Sequence, residues 1–529
     1  MQKKLQLTVL PRQAAIEKEL KTLIATALNI EEKRIVHIAT ERKSIDARSR
    51  FPKINLSLNV YIDETPVQRH IEKTYPKVHS ASSALIVGSG PAGLFAALKL
   101  IEKGIKPIIL ERGKEVTDRK KDIAQLCRNV ALNPESNYCF GEGGAGTFSD
   151  GKLYTRSTKK GDIKTILETF FFHGAQEEIL YEAHPHIGTD RLNTVIKNIR
   201  QTILNSGGEI HFGEKVNDLL INAKNEIQGV VTSDGKEWKS KIVILATGHS
   251  ARDIYELLHN KGIALEAKGF AMGVRAEHPQ KLIDSIQYHC KERDEYLPAA
   301  TYNLVEQVDE RGVYSFCMCP GGHIVPAATA PDEIVVNGMS PSQRNSPYAN
   351  SGIVVEIRPE DLGEWTEKYG VMGGLKFQQH VEQLAFANNG GMGQKAPAQR
   401  LVDFVKGIVS ANLPECSYLP GIISSPLHFW LPDIISRRLR EGFKKFDRKM
   451  HGYLTNDAVV VGVESRTSSP IRIPRDKETL QHIEIKGLYP CGEGAGYAGG
   501  ITSSAMDGEN CAEKAAEQIN NDKRLEIRD

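Results

Sequence analysis

The sequence of 529 residues lacks any apolar run close to the roughly 20 residues that a membrane-spanning helix needs. Its N-terminus carries Lys3 and Lys4 but no apolar signal region. It also has no excess of one charge, because 68 Lys and Arg face 66 Asp and Glu and leave a net charge of +2. These absences argue against a membrane span, a secretory signal and a general attraction to nucleic acid, and they predict a cytoplasmic protein.

Cysteine is also scarce, with eight residues and no Cys-x-x-Cys spacing. This excludes the usual dithiol and zinc patterns, so no metal site is predicted. Cys317 and Cys319 lie two residues apart and would share one face of a strand. Two small apolar side chains are the main interpretation of this pair, with a strained disulfide or a soft-metal half-site as the alternative.

The strongest positive signal is a glycine pattern in its full structural context. An apolar strand at 84–87 runs into Gly-x-Gly-x-x-Gly, formed by Gly88, Gly90 and Gly93, and a helical pattern and a second apolar strand ending in Glu111 follow. In a dinucleotide site these glycines allow a tight turn, an approaching pyrophosphate and close helix packing. Glu111 is placed to accept hydrogen bonds from a ribose, which favours FAD or NAD over NADP. The alternative is a glycine-rich turn without a ligand, which this context disfavours.

Two later segments favour FAD over NAD. An apolar strand at 242–245 ends in Ala-Thr-Gly, and residues 488–508 combine a glycine-rich segment with an Ala-rich helix. This combination resembles flavoproteins of the glutathione reductase and para-hydroxybenzoate hydroxylase type. The resemblance implies that the late segment holds the ribitol and phosphates, and that the next helix points its N-terminus at the flavin C2 carbonyl. Glu493 stands where those proteins have Asp, which keeps the charge.

Three further segments, at 137–153, 316–322 and 463–473, resemble a narrower bacterial and plastid family known as uncharacterized FAD-dependent dehydrogenases. The similarity covers nearly the whole chain and implies a flavin-contacting loop at 140–153. Residues 141–146 also fit Gly-x-Gly-x-x-Gly, but no apolar strand precedes them and no helical pattern follows. We interpret them as a backbone loop under the isoalloxazine ring. With no second nucleotide motif, a transient NAD(P)H reductant would share a site with the substrate.

The motifs and the resemblance together define a set of predicted cofactor-binding residues. By resemblance, Val216 lies where a backbone amide meets the adenine. The predicted FAD-binding residues are Gly88, Gly90, Pro91, Ala92, Gly93, Glu111, Arg112, Gly143, Gly144, Thr147, Val216, Thr247, Gly248, Gly492, Glu493, Gly500 and Ile501.

The predicted fold class is α/β (α+β overall), with about three domains for this length. Residues 1–79 form a small N-terminal α+β, ferredoxin-like module, and residues 80–255 and 456–521 form a Rossmann-type FAD-binding domain. Residues 256–455 form an inserted substrate domain. Within it, helices are predicted at 375–388, 398–409 and 431–446 from their periodicity.

Flavin would supply hydride transfer at N5, and the protein would supply the pocket and the protons. The catalytic candidates are Glu464, Arg466, His323 and Arg275. Arg466 would stabilise the reduced flavin, and Glu464 would either pair with it or act as an acid or base; a local salt bridge that only shapes the loop is the alternative. Arg275 and Arg472 would bind a substrate carboxylate in a fork. His323 would donate a proton, unless it is structural.

The resulting functional hypothesis is an FAD-dependent oxidoreductase acting on a small organic substrate, with an undefined oligomeric state. One alternative is a tRNA-modifying flavoprotein, because residues 464–471 are loosely similar to a segment of the uridine-carboxymethylaminomethyl class. A basic loop at 43–50 and the basic helix at 431–446 would then contact RNA, although the net charge makes nucleic acid an unlikely partner. The other alternative is an electron carrier whose N-terminal module binds a protein partner.

Overall fold

The structure, a computed structural model, describes residues 1–66, 71–155 and 161–526. It combines a parallel sheet, several antiparallel sheets and helices, so the predicted mixed α/β class is confirmed. No helix in the described part of the chain is both long and apolar enough to cross a membrane.

The N-terminal module has three strands and two helices: β1 (Gln2–Val9), α1 (Pro11–Ala15), α2 (Glu17–Leu28), β2 (Ile35–Asp46) and β3 (Lys53–Ile62). The sheet order is β1-β3-β2 with antiparallel neighbours, so β1 and β2 run parallel on either side of β3. This split β-α-β arrangement is the first part of a ferredoxin-like fold. Alternate side chains of β3 are buried, which is the pattern of a strand with one face on a core.

The later strands are β4 (Ser83–Val87), β5 (Lys106–Glu111), β6 (Glu209–Phe212), β7 (Val216–Ile221), β8 (Ile227–Thr232), β9 (Glu237–Lys239), β10 (Val243–Leu245), β11 (Glu266–Ala267), β12 (Phe270–Pro279), β13 (Val305–Val308), β14 (Arg311–Cys319), β15 (His323–Pro326), β16 (Val336–Met339), β17 (Tyr348–Ile357), β18 (Ala396–Arg400), β19 (Ile422–Ser424), β20 (Val459–Glu464), β21 (Ile471–Arg472) and β22 (Leu488–Pro490).

The later helices are α3 (Pro91–Glu102), α4 (Val116–Cys127), α5 (Ile163–Phe172), α6 (Thr189–Asn205), α7 (Arg252–Asn260), α8 (Gln280–Tyr288), α9 (Gly363–Tyr369), α10 (Gly373–Ala387), α11 (Leu401–Lys406), α12 (Leu427–Trp430), α13 (Asp433–Lys449) and α14 (Ile501–Glu526).

Five strands form a parallel sheet in the order β22-β10-β4-β5-β6. Strands β4, β10 and β22 are almost entirely apolar and buried, as expected for a sheet covered on both faces, whereas the edge strand β6 is only partly buried. Helices α3 and α14 pack against each other, and they approach closely because Gly508 has no side chain that would clash with the backbone of Ala92. This sheet is the Rossmann-type part of the predicted fold.

Seven strands form a second sheet in the order β13-β14-β17-β12-β20-β18-β19, with β12 near its centre. Strand β20 belongs to this sheet, whereas residues from 456 onward were assigned to the FAD-binding domain. The reason is that β20 pairs with β12 and β18 before the chain returns to the parallel sheet. The domain boundaries at 79, 255 and 455 stay predictions.

Two of the three helices predicted in the inserted region are confirmed, as α10 and α13. The helix predicted at 398–409 is wrong in its first part, because residues 396–400 form β18 between β19 and β20 and only α11 follows. The loop predicted at 43–50 is also shorter than expected, because β2 continues to Asp46.

Candidate active site

The carboxyl end of the parallel sheet brings the separate sequence motifs together. The carboxyl ends of four strands lie side by side, with Val87 paired to Leu110 and to Leu245, and Leu245 paired to Pro490. The segments that follow these strands carry the glycine pattern, Glu111, the Ala-Thr-Gly sequence and the late glycine-rich segment. Ligands of open α/β sheets bind at this edge.

The three glycines of the first turn have different physical requirements. Gly88 has a φ of +103° and a Cβ there would clash with the Ala246 carbonyl, while a Cβ at Gly93 would clash with the Gly88 carbonyl. At Gly90, however, the nearest atom to an added Cβ is the Gly144 Cα at 3.8 Å. Protein packing therefore requires the first and third glycines but not the second. An open position at Gly90 fits a pyrophosphate lying against the backbone.

Two helix N-termini open onto the same space. Helix α3 begins at Pro91 directly after the glycine turn, and α14 begins at Ile501 after Gly500. Gly500 has a φ of +142°, and an added Cβ would meet no atom within 4 Å. The unpaired N–H groups and the dipoles of both helices favour a ligand with phosphates or partial negative charge. The arrangement fits FAD.

A cavity of about 1210 Å³ runs along this edge and into the inserted region. Most of the predicted cofactor residues line it: Gly88, Gly90, Pro91, Ala92, Glu111, Arg112, Gly144, Val216, Thr247, Gly248, Gly492, Glu493, Gly500 and Ile501. Gly93, Gly143 and Thr147 do not. The Thr147 hydroxyl donates to the Glu142 carbonyl and lies against Gly143, so these two residues shape the loop from behind the cavity wall.

Glu111 is buried, and in the structure its carboxylate holds the loops together. One oxygen accepts hydrogen bonds from the Ser89 amide and hydroxyl, both at 2.8 Å, and the other accepts from the amides of Gly113 and Gly141. A ribose would have to replace some of these donors, so its interaction with Glu111 stays a prediction. Arg112 is held by Asp253 and Glu135 and lies over the Phe140 ring.

His249 was missed in the sequence, although it directly follows Thr247-Gly248. Its Nδ1 lies 3.0 Å from the Glu493 carboxylate and its Nε2 lies 3.0 Å from the Arg466 carbonyl. Burial raises the pKa of Glu493, but the interactions with His249 and the hydrogen bond from the Gly500 amide together outweigh burial and leave this pKa below its ordinary value. His249 thus links the late glycine-rich segment to the segment after β20.

The expected pair between Glu464 and Arg466 does not form. Strand β20 ends at Glu464, and the two side chains have different partners. Glu464 instead lies 3.0 Å from Arg275, and both side chains are fully buried. Arg275 also donates to the Cys317 carbonyl at 2.7 Å and to Asn350 at 2.9 Å. Neither residue lines the cavity, and each is paired with the other. The catalytic role of Glu464 and the carboxylate fork at Arg275 therefore stay predictions without support from this geometry.

Arg466 lines the cavity but is already paired on its inner side. Its guanidinium lies 3.0 Å from Glu382 and 3.1 Å from Glu333, and Arg252 pairs with the same two carboxylates. Burial and the neighbouring Glu382 raise the pKa of Glu333. The four groups form a buried network that fixes the Arg466 side chain in the cavity wall.

The remaining catalytic candidates lie outside the cavity. His323 begins β15, and burial lowers its pKa below the ordinary value. Arg472, the second half of the expected fork, pairs with Glu266 at 3.6 Å and has a side chain that is 41% exposed. The structure does not bring either residue to the cavity wall.

A second wall of the cavity, which the sequence did not reveal, is formed jointly by the inserted region and by parts of the segment 80–255. Its polar and titratable side chains are Lys152, Tyr154 and His184 from the segment 80–255, and Tyr302, Asn303, Cys317, Asn337 and Arg344 from the inserted region. Lys152 and Cys317 lie inside two of the family-specific segments, so the sequence offered a signal for these two residues. The other residues of this wall lie at positions without a motif, and it is the fold that brings them together.

The cysteine interpretations are settled by geometry. All eight cysteines are free thiols. A bulge in β14 gives Cys317 a φ of +45°, so Cys317 and Cys319 do not share a strand face. In the described part of the chain, Cys491, Asp507 and Cys511 bring three ligand-type atoms within 4.8 Å of one another. Arg475 already occupies that group, 2.6 Å from the Asp507 carboxylate.

The two basic segments that would contact RNA are largely engaged within the chain. In the first, Lys43 pairs with Glu182 and Arg48 with Asp46. In α13, Arg437 pairs with Asp309, and the other basic side chains find partners as well: Arg438, Arg440, Lys444 and Lys445. Arg438, Arg440 and Lys445 donate to neutral backbone carbonyls, whereas Lys43, Arg48, Arg437 and Lys444 are paired with carboxylates.

Three family models match the chain. Residues 81–131 match an FAD binding domain, residues 269–467 match the FAD-dependent protein, C-terminal domain-like family, and residues 1–61 match a domain of unknown function. Among solved structures, a flavoprotein/dehydrogenase from Cytophaga hutchinsonii has a TM-score of 0.35 and 11% identity, covering 83% of this chain and 79% of that chain. The flavin-dependent brominase Bmp2 has a TM-score of 0.36 and 15% identity, covering 83% and 80%.

Two curated relatives are similar in sequence. A thiamine thiazole synthase of Methanococcoides burtonii is 26% identical over 204 residues, which is 36% of this chain and 66% of the relative. An uncharacterized protein of Clostridium beijerinckii is 41% identical over 516 residues, covering 94% of this chain and 95% of the relative. The chain therefore belongs to the same family as the Clostridium beijerinckii protein, a family of FAD-dependent proteins, and it is a flavin-dependent enzyme.

Proposed function

We propose that this protein is an FAD-dependent oxidoreductase that transfers a hydride between the flavin and a small organic substrate. The observation that carries the proposal is the continuity of the cavity, which joins the dinucleotide-type edge of the parallel sheet to the polar wall of the inserted region. Its volume of about 1210 Å³ exceeds the about 300–1,000 Å³ of most small-molecule sites, which supports room for a cofactor and a substrate together.

When bound, FAD supplies hydride acceptance or donation at N5. The residues that would hold it are the lining glycines of the first turn, the segment around Glu493, and the start of α14. Arg466, fixed by Glu333 and Glu382, places a positive charge in the wall of the same cavity. A fixed charge of this kind stabilises negative charge that develops during a reaction.

The protein also supplies protons near the substrate side. Burial raises the pKa of the Tyr302 hydroxyl to about 12, and desolvation in the cavity also raises the pKa of the Cys317 thiol. Both groups therefore carry their protons at neutral pH, and the raised pKa makes each a weaker acid. The Cys317 side chain is exposed to the cavity, while Tyr302 shares a hydrogen bond of 3.2 Å with Tyr453. We propose Cys317 as the first candidate proton donor in place of His323.

An anaerobic absorbance titration of the purified, FAD-loaded protein tests the function. We expect the flavin band to bleach on addition of NADH or NADPH, or of a small organic hydride donor. Bleaching by a nicotinamide would identify a reductase, and bleaching only by an organic donor would identify a dehydrogenase. A protein that none of these donors reduces, but that rapidly exchanges single electrons with a protein partner, would support the electron carrier instead.

A further inference from the structure

The polar wall of the cavity contains a group of cations whose positive charge is not fully balanced. We define the cation wall as Lys152, His184 and Arg344, which all line the cavity. Other contacts hold the three residues close together, since Asp150 lies between Arg344 and Lys152. The backbone of Lys152 also bridges to His186, two residues after His184.

Arg344 is neutralised by its own partner. Its guanidinium donates two hydrogen bonds to Asp150, at 3.1 and 2.5 Å, in the fork geometry that Arg and carboxylates favour. Asp150 is almost completely buried, and although burial raises its pKa, Lys152 and Arg344 lower it below the ordinary value. Asp150 is therefore ionised, and its charge is matched by Arg344.

Lys152 interacts with the same carboxylate, Asp150, at a longer distance than Arg344 does. Its Nζ lies 4.0 Å from Asp150 and donates a hydrogen bond to the neutral Met318 carbonyl. Its side chain is 35% exposed and lines the cavity. Among the residues that the structure describes on this wall, Lys152 thus shares its carboxylate with Arg344 and has no second one.

The positive charges of this wall also act on His184. Its ring contacts Tyr154 edge-on, with centroids 4.9 Å apart, and its nitrogens make no hydrogen bond to a described residue. Burial lowers the pKa of His184, and Lys152, Arg344 and Arg42 lower it further. Of the described acidic residues that line the cavity, Glu111, Glu214 and Glu493 lie in segments of the dinucleotide side, whereas Asp150 lies on the cation wall. On that wall Lys152 and Arg344 therefore face a single lining carboxylate.

We propose that the substrate is a small organic carboxylate, whose carboxylate group pairs with Lys152 and accepts a hydrogen bond from His184. One unbalanced positive charge matches the single negative charge of a carboxylate, whereas a phosphate ester carries about −1.5 to −2 at neutral pH. Tyr154 and Phe316 would contact the apolar part of the substrate, and the Cys317 thiol lies beside Lys152 on the same wall. The inference deepens the proposed function and rests on it for the reaction.

The test is isothermal titration calorimetry of the FAD-loaded protein with benzoate and with inorganic phosphate. We expect benzoate to bind once per chain, and Lys152→Met to weaken that binding by about 10-fold or more, because it removes a charged hydrogen-bond partner. Lys486→Met is the control, since this exposed lysine pairs with Glu226 outside the cavity. Equal benzoate affinity in wild type and Lys152→Met overturns the proposal, as does phosphate that binds more tightly than benzoate.

Two further variants separate binding from folding. Lys152→Arg keeps the charge and should retain benzoate binding within a few-fold, and His184→Gln changes an exposed side chain and should weaken binding without changing the melting temperature. Because calorimetry measures binding without turnover, it tests the carboxylate site separately from the proposed reaction. A protein that is reduced by hydride donors but does not bind benzoate contradicts only the carboxylate site. A protein that binds benzoate through Lys152 but is reduced by no donor contradicts only the proposed function.

Discussion

At the scale of single residues, the glycine turn contains two positions at which protein packing requires glycine and one position at which the proposed cofactor requires it. Gly88 and Gly93 are required by neighbouring backbone atoms, whereas an added Cβ at Gly90 would meet only the Gly144 Cα at 3.8 Å. A substitution at Gly90 should therefore disturb the cofactor and leave the packing intact.

Replacing Gly90 by Glu should lower the FAD content of the purified protein by at least about 10-fold, because its carboxylate would repel a nearby phosphate by several kcal/mol. The melting temperature of the FAD-free protein should stay close to that of wild type. The ratio of flavin absorbance to protein absorbance measures the first effect. Gly90→Ala is the matched control and should retain much more FAD. Full FAD occupancy in the Glu variant would contradict the proposed position of the pyrophosphate.

His278 should make stability depend on pH. It is fully buried, and burial lowers its pKa to about 4. Because the folded state holds His278 neutral while the unfolded state is protonated below about 6.5, stability is lost as the pH falls from 6.5 towards 4. Between pH 7 and pH 5 this loss should be about 2 kcal/mol.

Urea unfolding at both pH values checks the His278 prediction. His278→Gln should show a fall in unfolding free energy between pH 7 and pH 5 that is smaller than in wild type by about 2 kcal/mol. The exposed His451 provides the control, and His451→Gln should keep the wild-type pH dependence. The same pH dependence in all three proteins would rule out the contribution of His278.

At the scale of elements, Arg275 joins its own strand to three other strands of the seven-stranded sheet. It lies on β12 and binds Glu464 at the end of β20, the Cys317 carbonyl on β14 and Asn350 on β17. Because Glu464 is also buried, losing Arg275 leaves an unpaired charge in the core.

Arg275→Met should therefore cost about 3–5 kcal/mol of unfolding free energy. The double variant Arg275→Met with Glu464→Met should recover about half of that loss, since the buried charge is removed but two neutral acceptors lose their donor. Urea denaturation measures both. Arg34→Met, which breaks an exposed pair with Asp63, should cost less than about 1 kcal/mol. A double variant less stable than the single one would contradict this role of the pair.

The sequence predicted the parallel-sheet motifs well because each depends on local geometry. A strand, a glycine turn and a helix start are neighbours in the chain, so their pattern is visible in residues 84–93. The partners of Glu464 and Arg466 were not predictable in this way. Arg275, Glu333 and Glu382 lie 189, 133 and 84 residues away from them in sequence and meet them only through the inserted region. The same reason hid His184 and Arg344.

Strand β18 shows a second limit of sequence patterns. Residues 396–400 have no strong strand signal, yet they pair with β19 and β20 and are mostly buried. Their conformation is decided by the neighbouring strands, and such tertiary contacts commonly override local preference.

At the scale of the whole molecule, the N-terminal module reaches the cation wall through its edge strand. The Lys43 amide donates to the Tyr181 carbonyl at 3.0 Å, and the Ala183 amide donates to the Lys43 carbonyl at 3.0 Å. The segment 181–183 leads directly to His184. The module therefore supports one residue of the proposed carboxylate site.

Lys43→Pro should weaken benzoate binding by about 5-fold, because it removes one of the two backbone hydrogen bonds, worth about 1 kcal/mol, that position this segment. FAD content should not change, since Lys43 lies outside the cavity. Lys43→Ala is the control: it keeps the backbone bond and loses only the partly exposed pair with Glu182, so its affinity should be close to wild type. Calorimetry with benzoate measures both. Equal affinities in the Pro and Ala variants would show that the module does not support the site.

If one cavity holds the flavin and an organic carboxylate side by side, the bound anion should perturb the flavin. A difference absorbance spectrum of the FAD-loaded protein during titration with benzoate tests this directly. We expect a saturable change in the flavin band, with the same dissociation constant as calorimetry and with about 10-fold weaker binding in Lys152→Met. Benzoate that binds by calorimetry while the flavin band stays unchanged would contradict this arrangement, because the anion would then lie away from the cofactor.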